Sequence, residues 1–162
     1  METDMTLGQV AICRGGGALA RIVSATTRSP YSHVIIDVGG GMVASAEIGG
    51  LRLRPVAEFA DYDDPVWSRF DLHDWQAEGV AQYARARLGT RYNVAAGAYI
   101  LVTRALVIAT PSTHPRAYYQ CAQLAEDALA HGAGILVFPE GRTAGPATPA
   151  DFENLFRYHG WL

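Results

Sequence analysis

Apolar and polar positions divide this chain into two halves of different rhythm. In the first half the apolar residues come in bursts of strand length. Leu7 to Arg14 carries Val10-Ala11-Ile12-Cys13 and stops at Gly15-Gly16-Gly17. After the breaker Arg28-Ser29-Pro30, Tyr31-Ser32-His33-Val34-Ile35-Ile36 reads as a buried strand that carries one histidine. Gly39-Gly40-Gly41 predicts a hairpin turn, with Met42 to Glu47 as its return strand. Leu51-Arg52-Leu53-Arg54-Pro55 alternates like a strand with one polar face, and Pro65 to Leu72 predicts a further strand. Between the first two strands, Ala18 to Thr26 predicts a helix with Leu19, Ile22 and Val23 on one face.

The second half changes to helical spacing. Trp75 to Leu88 sets Val80, Tyr83, Ala84 and Leu88 near one face, and Gly89 supplies a stop. Asn93 to Ile108 predicts an apolar helix. Tyr119 to His131 repeats Cys121, Leu124, Ala125 and Ala128 and is expected to end at Gly132. Thr148-Pro149-Ala150-Asp151 combines an N-cap, a first-turn proline and an acid in the first turn. No internal repeat or low-complexity linker interrupts the pattern, so residues 1–162 predict a single α+β domain.

Composition narrows the function classes. An apolar content of 49% over 162 residues supports one real core, and 18% charged residues is too few for a disordered chain. The net charge is -3 and the arginines are scattered singly, so no nucleic-acid partner is expected. The chain has no lysine, which excludes a Schiff base or a catalytic lysine. Two cysteines are too few for a zinc site built mainly of thiolates. The acidic start, Met1-Glu2-Thr3-Asp4-Met5, does not resemble a secretory signal, and a cytoplasmic location is the expectation. Val94 to Ala109 is short for a membrane span and contains Arg104, which would cost about 3 kcal/mol at mid-bilayer. A buried helix is expected there, without stable membrane insertion.

Two residues stand out for chemistry. Cys121 falls in the first turn of a predicted helix, where unpaired N–H groups and the helix dipole favour a thiolate and can bind an oxyanion. His33 shares a strand face with Ile35 and Asp37 and is costly to bury unless its ring nitrogens are satisfied. Cys13, inside an apolar strand, reads as a core residue. His73, His114, His131 and His159 fall in loops or at chain and helix ends. A third residue that orients the imidazole is sought on the neighbouring strands, where Asp37, Ser45 and Glu47 are the candidates and Glu47 is preferred.

In order along the chain, several segments resemble the permuted papain-like cysteine amidases. These are circularly permuted relatives of NlpC-type bacterial cell-wall endopeptidases that also resemble lecithin retinol acyltransferase. Gly8-Gln9-Val10-Ala11-Ile12 is similar to the opening strand, with glutamine in place of the usual acid. Ser29-Pro30-Tyr31-Ser32-His33-Val34-Ile35-Ile36 resembles the histidine strand, and Gly50-Leu51-Arg52-Leu53-Arg54-Pro55-Val56 the strand that leads into an apolar pair after a proline. Leu88-Gly89-Thr90-Arg91-Tyr92-Asn93 resembles a glycine-to-tyrosine segment that commonly ends in aspartate. Tyr119-Gln120-Cys121-Ala122-Gln123-Leu124 resembles the nucleophile helix, where serine and glutamate more often follow the cysteine. Thr148-Pro149-Ala150-Asp151-Phe152 resembles the closing turn.

The resemblance implies a papain-like fold, a small antiparallel sheet or barrel packed against helices. It implies Cys121 as nucleophile, His33 as base, and hydrolysis of a peptide-like or acyl amide through a thioester, with neither metal nor organic cofactor. Acyl transfer to or from a lipid on the same site, or a binding module without catalysis, are the other readings. Where the family commonly has an acid before the residue matching Ala46, this chain has Ser45, with Glu47 two residues later.

Overall fold

A computed structural model describes residues 6–60, 65–92, 118–138 and 147–162. It is an α+β domain built on a five-stranded antiparallel sheet. The strands are β1 (Val10–Cys13), β2 (His33–Asp37), β3 (Met42–Glu47), β4 (Gly50–Pro55) and β5 (Val66–Trp67), in the spatial order β4-β3-β2-β1-β5. A parallel pair, β6 (Arg91–Tyr92) and β7 (Tyr118–Tyr119), forms a second small sheet. The described helices are α1 (Gly17–Thr27), α2 (Ala57–Ala60), α3 (Asp74–Arg85), α4 (Cys121–Ala133) and α5 (Pro149–Tyr158).

The unbroken apolar runs of β1 and β2 have a simple cause, because these central strands are covered on both faces. Val10, Ile12, Val34 and Ile36 pack under the helices against Val80, Leu124, Leu129, Phe152 and Phe156. Ala11, Cys13, Ile35 and Val43 form a second cluster on the opposite face, with Val56, Phe59 and Trp67 against it. The chain reaches that face because β4 and β5 occupy opposite edges of the sheet and the segment between them carries α2. That crossing brings Phe59 over β2.

Four expectations are corrected. The strand expected over Pro65 to Leu72 is only Val66–Trp67. Beyond it the Gln9 side chain replaces the ladder, donating to the Phe70 carbonyl at 2.8 Å and accepting from the Phe70 N–H at 3.1 Å. The helix expected over Tyr119 to His131 begins at Cys121 and not at Tyr119, which belongs to β7. It stops at Gly134, in the left-handed conformation at φ 69°, and not at Gly132. Gly132 instead lies against Gly79 of α3, and a β-carbon at Gly132 would come within 2.6 Å of the Gly79 backbone. Ile22, expected on the apolar face of α1, is 51% exposed, since that helix lies at the rim of a cleft and is not packed beneath the sheet. The apolar helix expected over Asn93 to Ile108, and His114, lie outside the described residues.

Candidate active site

The N-terminus of α4 meets the start of β2. Gln120 is the extended N-cap of α4 and provides no side-chain cap, and the first turn contains no acid. Its orphan N–H groups are therefore available to another acceptor. The Cys121 sulfur fills that role, taking hydrogen bonds from the main-chain N–H groups of Ala122 and, across from β2, of Val34. The other partner of Cys121 is the imidazole of His33, to which it is hydrogen-bonded.

His33 is held from several sides. Its Nε2 lies 2.8 Å from the Ser45 hydroxyl, which leaves Nδ1 for the thiol. Ser45 Oγ in turn donates to Glu47 Oε1 at 3.0 Å. Glu47 accepts from Arg54 Nη1 at 3.1 Å, and Arg54 Nε donates to Glu58 of α2 at 2.7 Å. The Phe59 ring lies parallel to the imidazole, with centroids 6.0 Å apart. Rotation of the ring would break the Ser45 bond and leave buried polar groups unpaired, so the tautomer and the ring plane are fixed together.

The hairpin register produces this order. Ile35 pairs with Ser45, so His33, Ser45 and Glu47 share one face of the sheet. Of the three candidates for the orienting position, Ser45 is fully buried and touches the ring directly, while Glu47 reaches it through the Ser45 hydroxyl. Asp37 stands at the far end of β2, where Oδ1 accepts from Gly39 N–H at 2.7 Å, and it serves the turn.

Burial by itself opposes charge on both members of the pair, pushing the imidazole down and the thiol up. The mutual interaction reverses both. The Cys121 charge, its hydrogen bond and the more distant Glu47 carboxylate raise His33 above the ordinary histidine range. The His33 charge and hydrogen bond, with the N–H groups of Val34 and Ala122, bring Cys121 below the ordinary thiol range. Both shifts act in favour of the thiolate–imidazolium form of the pair. Cys13 behaves oppositely. It is buried with no such partner, and burial together with the negative charge of Cys121 pushes it up to about 12.

A cavity of about 520 Å³ opens onto Cys121 and His33. It is lined by Arg14, Gly15, Gly16 and the α1 residues Ala20 and Val23, and by the β3–β4 turn with Ile48, Gly49, Arg52 and Arg54. Tyr92 also lines it. The parallel pairing of Tyr92 with Tyr119 brings this phenol beside the strand that leads into α4. Burial and the Cys121 charge both raise its pKa, so it stays a neutral hydrogen-bond donor. Tyr92 was legible only as part of a motif; its place in the cleft depends on pairing with Tyr119, 27 residues further along the chain. Phe59 carried no sequence signal. Of the remaining histidines, His73 caps α3, His131 stacks on Tyr83, and His159 stacks on Trp161, all away from the cleft lining.

No protein-family model matches the chain, and no curated protein matches it. Among solved structures it is similar to a metalloprotein, yiiX, from Escherichia coli O157:H7, at a TM-score of 0.62 and 16% identity over 95% of this chain and 82% of that one. The likeness is one of fold. Among the described residues here, no group of three or more His, Cys, Asp or Glu side chains is arranged to hold a metal ion.

Proposed function

We propose that this protein is a cysteine-dependent amidase or peptidase of permuted papain-like type, hydrolysing a peptide-like or acyl amide bond through a thioester. The observation that carries this reading is the line Cys121–His33–Ser45–Glu47, which begins at a helix N-terminus and opens on a cleft. The Cys121 thiolate attacks the carbonyl carbon, and the main-chain N–H of Cys121 holds the oxyanion that forms. The His33 imidazolium gives its Nδ1 proton to the leaving amine as the C–N bond breaks. The now neutral imidazole takes a proton from water, hydroxide adds to the thioester, and the acid leaves as the thiolate is restored. Ser45 accepts from Nε2–H throughout while its own hydroxyl donates a hydrogen bond to Glu47, so the charge on the ring is matched without a proton leaving that side.

Acyl transfer is favoured as a second reading by one feature, the uncharged positions Ala20, Val23 and Ile48 along the cleft, which suit an acyl chain. Both readings share the acyl-enzyme. The test is intact-mass analysis after mixing with acyl p-nitroanilides and p-nitrophenyl esters. The expected result is a hydroxylamine-sensitive adduct on Cys121, absent from Cys121→Ala, with water or an added alcohol as acceptor deciding between the two. Equal turnover by wild type and Cys121→Ala would overturn the proposal.

A further inference from the structure

One polar feature of the cleft has no part in the chemistry above. Arg52 in β4 stands directly opposite Ser45 in β3, and directly opposed residues of an antiparallel pair project from the same face. Its side chain therefore leaves the sheet on the side that carries His33, and it lines the cleft together with Cys121. Gly49 keeps the space open, since a β-carbon there would fall on the Arg52 guanidinium. Its neighbour in the cleft, Arg54, is held by Glu47 and Glu58. Those are the two acids of the lining, and both are engaged with Arg54. Arg52 is exposed and has no ion-pair partner among the described residues. In a chain of net charge -3, the charge left facing the cleft on this wall is positive.

We propose that Arg52 determines specificity by binding a carboxylate on the substrate, beside the bond that Cys121 attacks. The inference rests on the reading of Cys121 as the nucleophile. A guanidinium meets a carboxylate through two parallel N–H···O bonds, which fixes orientation as well as charge. Ala20 and Val23 of α1 present no charge to the cleft, and Arg14, which also lines it, is engaged over the Tyr31 ring at 5.8 Å from its centroid. The substrate class is therefore an N-acylated amino acid, or a short peptide that keeps its terminal carboxylate, with the uncharged acyl side against α1.

The test compares alkylation of Cys121 by iodoacetate and by iodoacetamide, reagents of nearly equal size and different charge. The ratio of the two rates is the readout, because the neutral reagent normalises for any change in thiolate population. The ratio is expected to fall about three- to tenfold in Arg52→Gln and further in Arg52→Glu, with the difference largely erased in 1 M salt. Hippurate should protect Cys121 of the wild type from iodoacetamide better than hippuramide does, and Arg52→Gln should remove that preference. A ratio that stays constant in both variants, or equal protection by the acid and the amide, overturns the carboxylate site while leaving the nucleophile intact. Slow alkylation of the wild type by both reagents overturns the nucleophile, and the carboxylate site with it.

Discussion

At the scale of single residues, the site is a thiol and an imidazole that stabilise each other's charge against the cost of burial. The His33 shift is upward and the Cys121 shift is downward, and both favour the thiolate–imidazolium pair. The rate of acylation should follow a bell against pH. It falls on the acid side as the thiolate takes a proton, and on the alkaline side as the imidazolium loses the one it must give. A profile rising through a single ordinary thiol ionisation would contradict this. Ser45→Ala removes the acceptor of Nε2–H and frees the ring, and should lower kcat/KM about 10- to 100-fold while shifting the alkaline limb downward. Ser45→Thr should recover most of the loss. Glu47→Gln should cost less than Ser45→Ala, since it acts one bond further away. Cys121 and His33 were legible in the sequence because a helix start and a strand are local patterns. The choice between Ser45 and Glu47 was not, because period two puts both on one face and only the register, Ile35 opposite Ser45, decides which one meets the ring.

At the scale of elements, the pair depends on how α4 is seated. The helix packs on α3 at a contact of two glycines, Gly79 and Gly132, with no room for a side chain at either. Gly132→Ala gains about 1 kcal/mol of helix propensity and loses more to the clash, for a net cost of about 1–3 kcal/mol. At Gly134 nothing lies within 4 Å and the left-handed φ of 69° is the only objection to alanine, so the cost should be nearer 1 kcal/mol. Urea midpoints of the two variants check the order, and a stabilised Gly132→Ala would refute the contact. Local signals gave the right helix and the wrong stop here, since the rule that helices end at glycine cannot see a neighbouring helix. The strand expected over Pro65 to Leu72 was shortened for a similar reason. Gln9 is distant in sequence from Phe70, and its amide takes over both backbone groups there. Gln9→Ala, which leaves the Phe70 N–H and the Ser68 hydroxyl without that acceptor, should cost about 1–3 kcal/mol in denaturant titration.

For the molecule as a whole, the antiparallel sheet is covered on both faces and its cleft lies where β2, the β3–β4 turn, β6 and α4 converge. The α+β class, the hairpin and the buried central strands all followed from periodicity. The two cysteines sit as position along the chain suggests, Cys13 in a central strand and Cys121 at a helix start. Their opposite environments allow one measurement to decide the central claim. Native protein is labelled with iodoacetamide across a pH series, with peptide mapping to separate the two thiols and His33→Ala run alongside. Cys121 should label rapidly well below the ordinary thiol pKa of about 8.5 and slow sharply in His33→Ala, while Cys13, pushed up to about 12, stays nearly inert. If Cys121 labels with an ordinary thiol midpoint, unchanged by His33→Ala, the activated pair does not exist and the account fails.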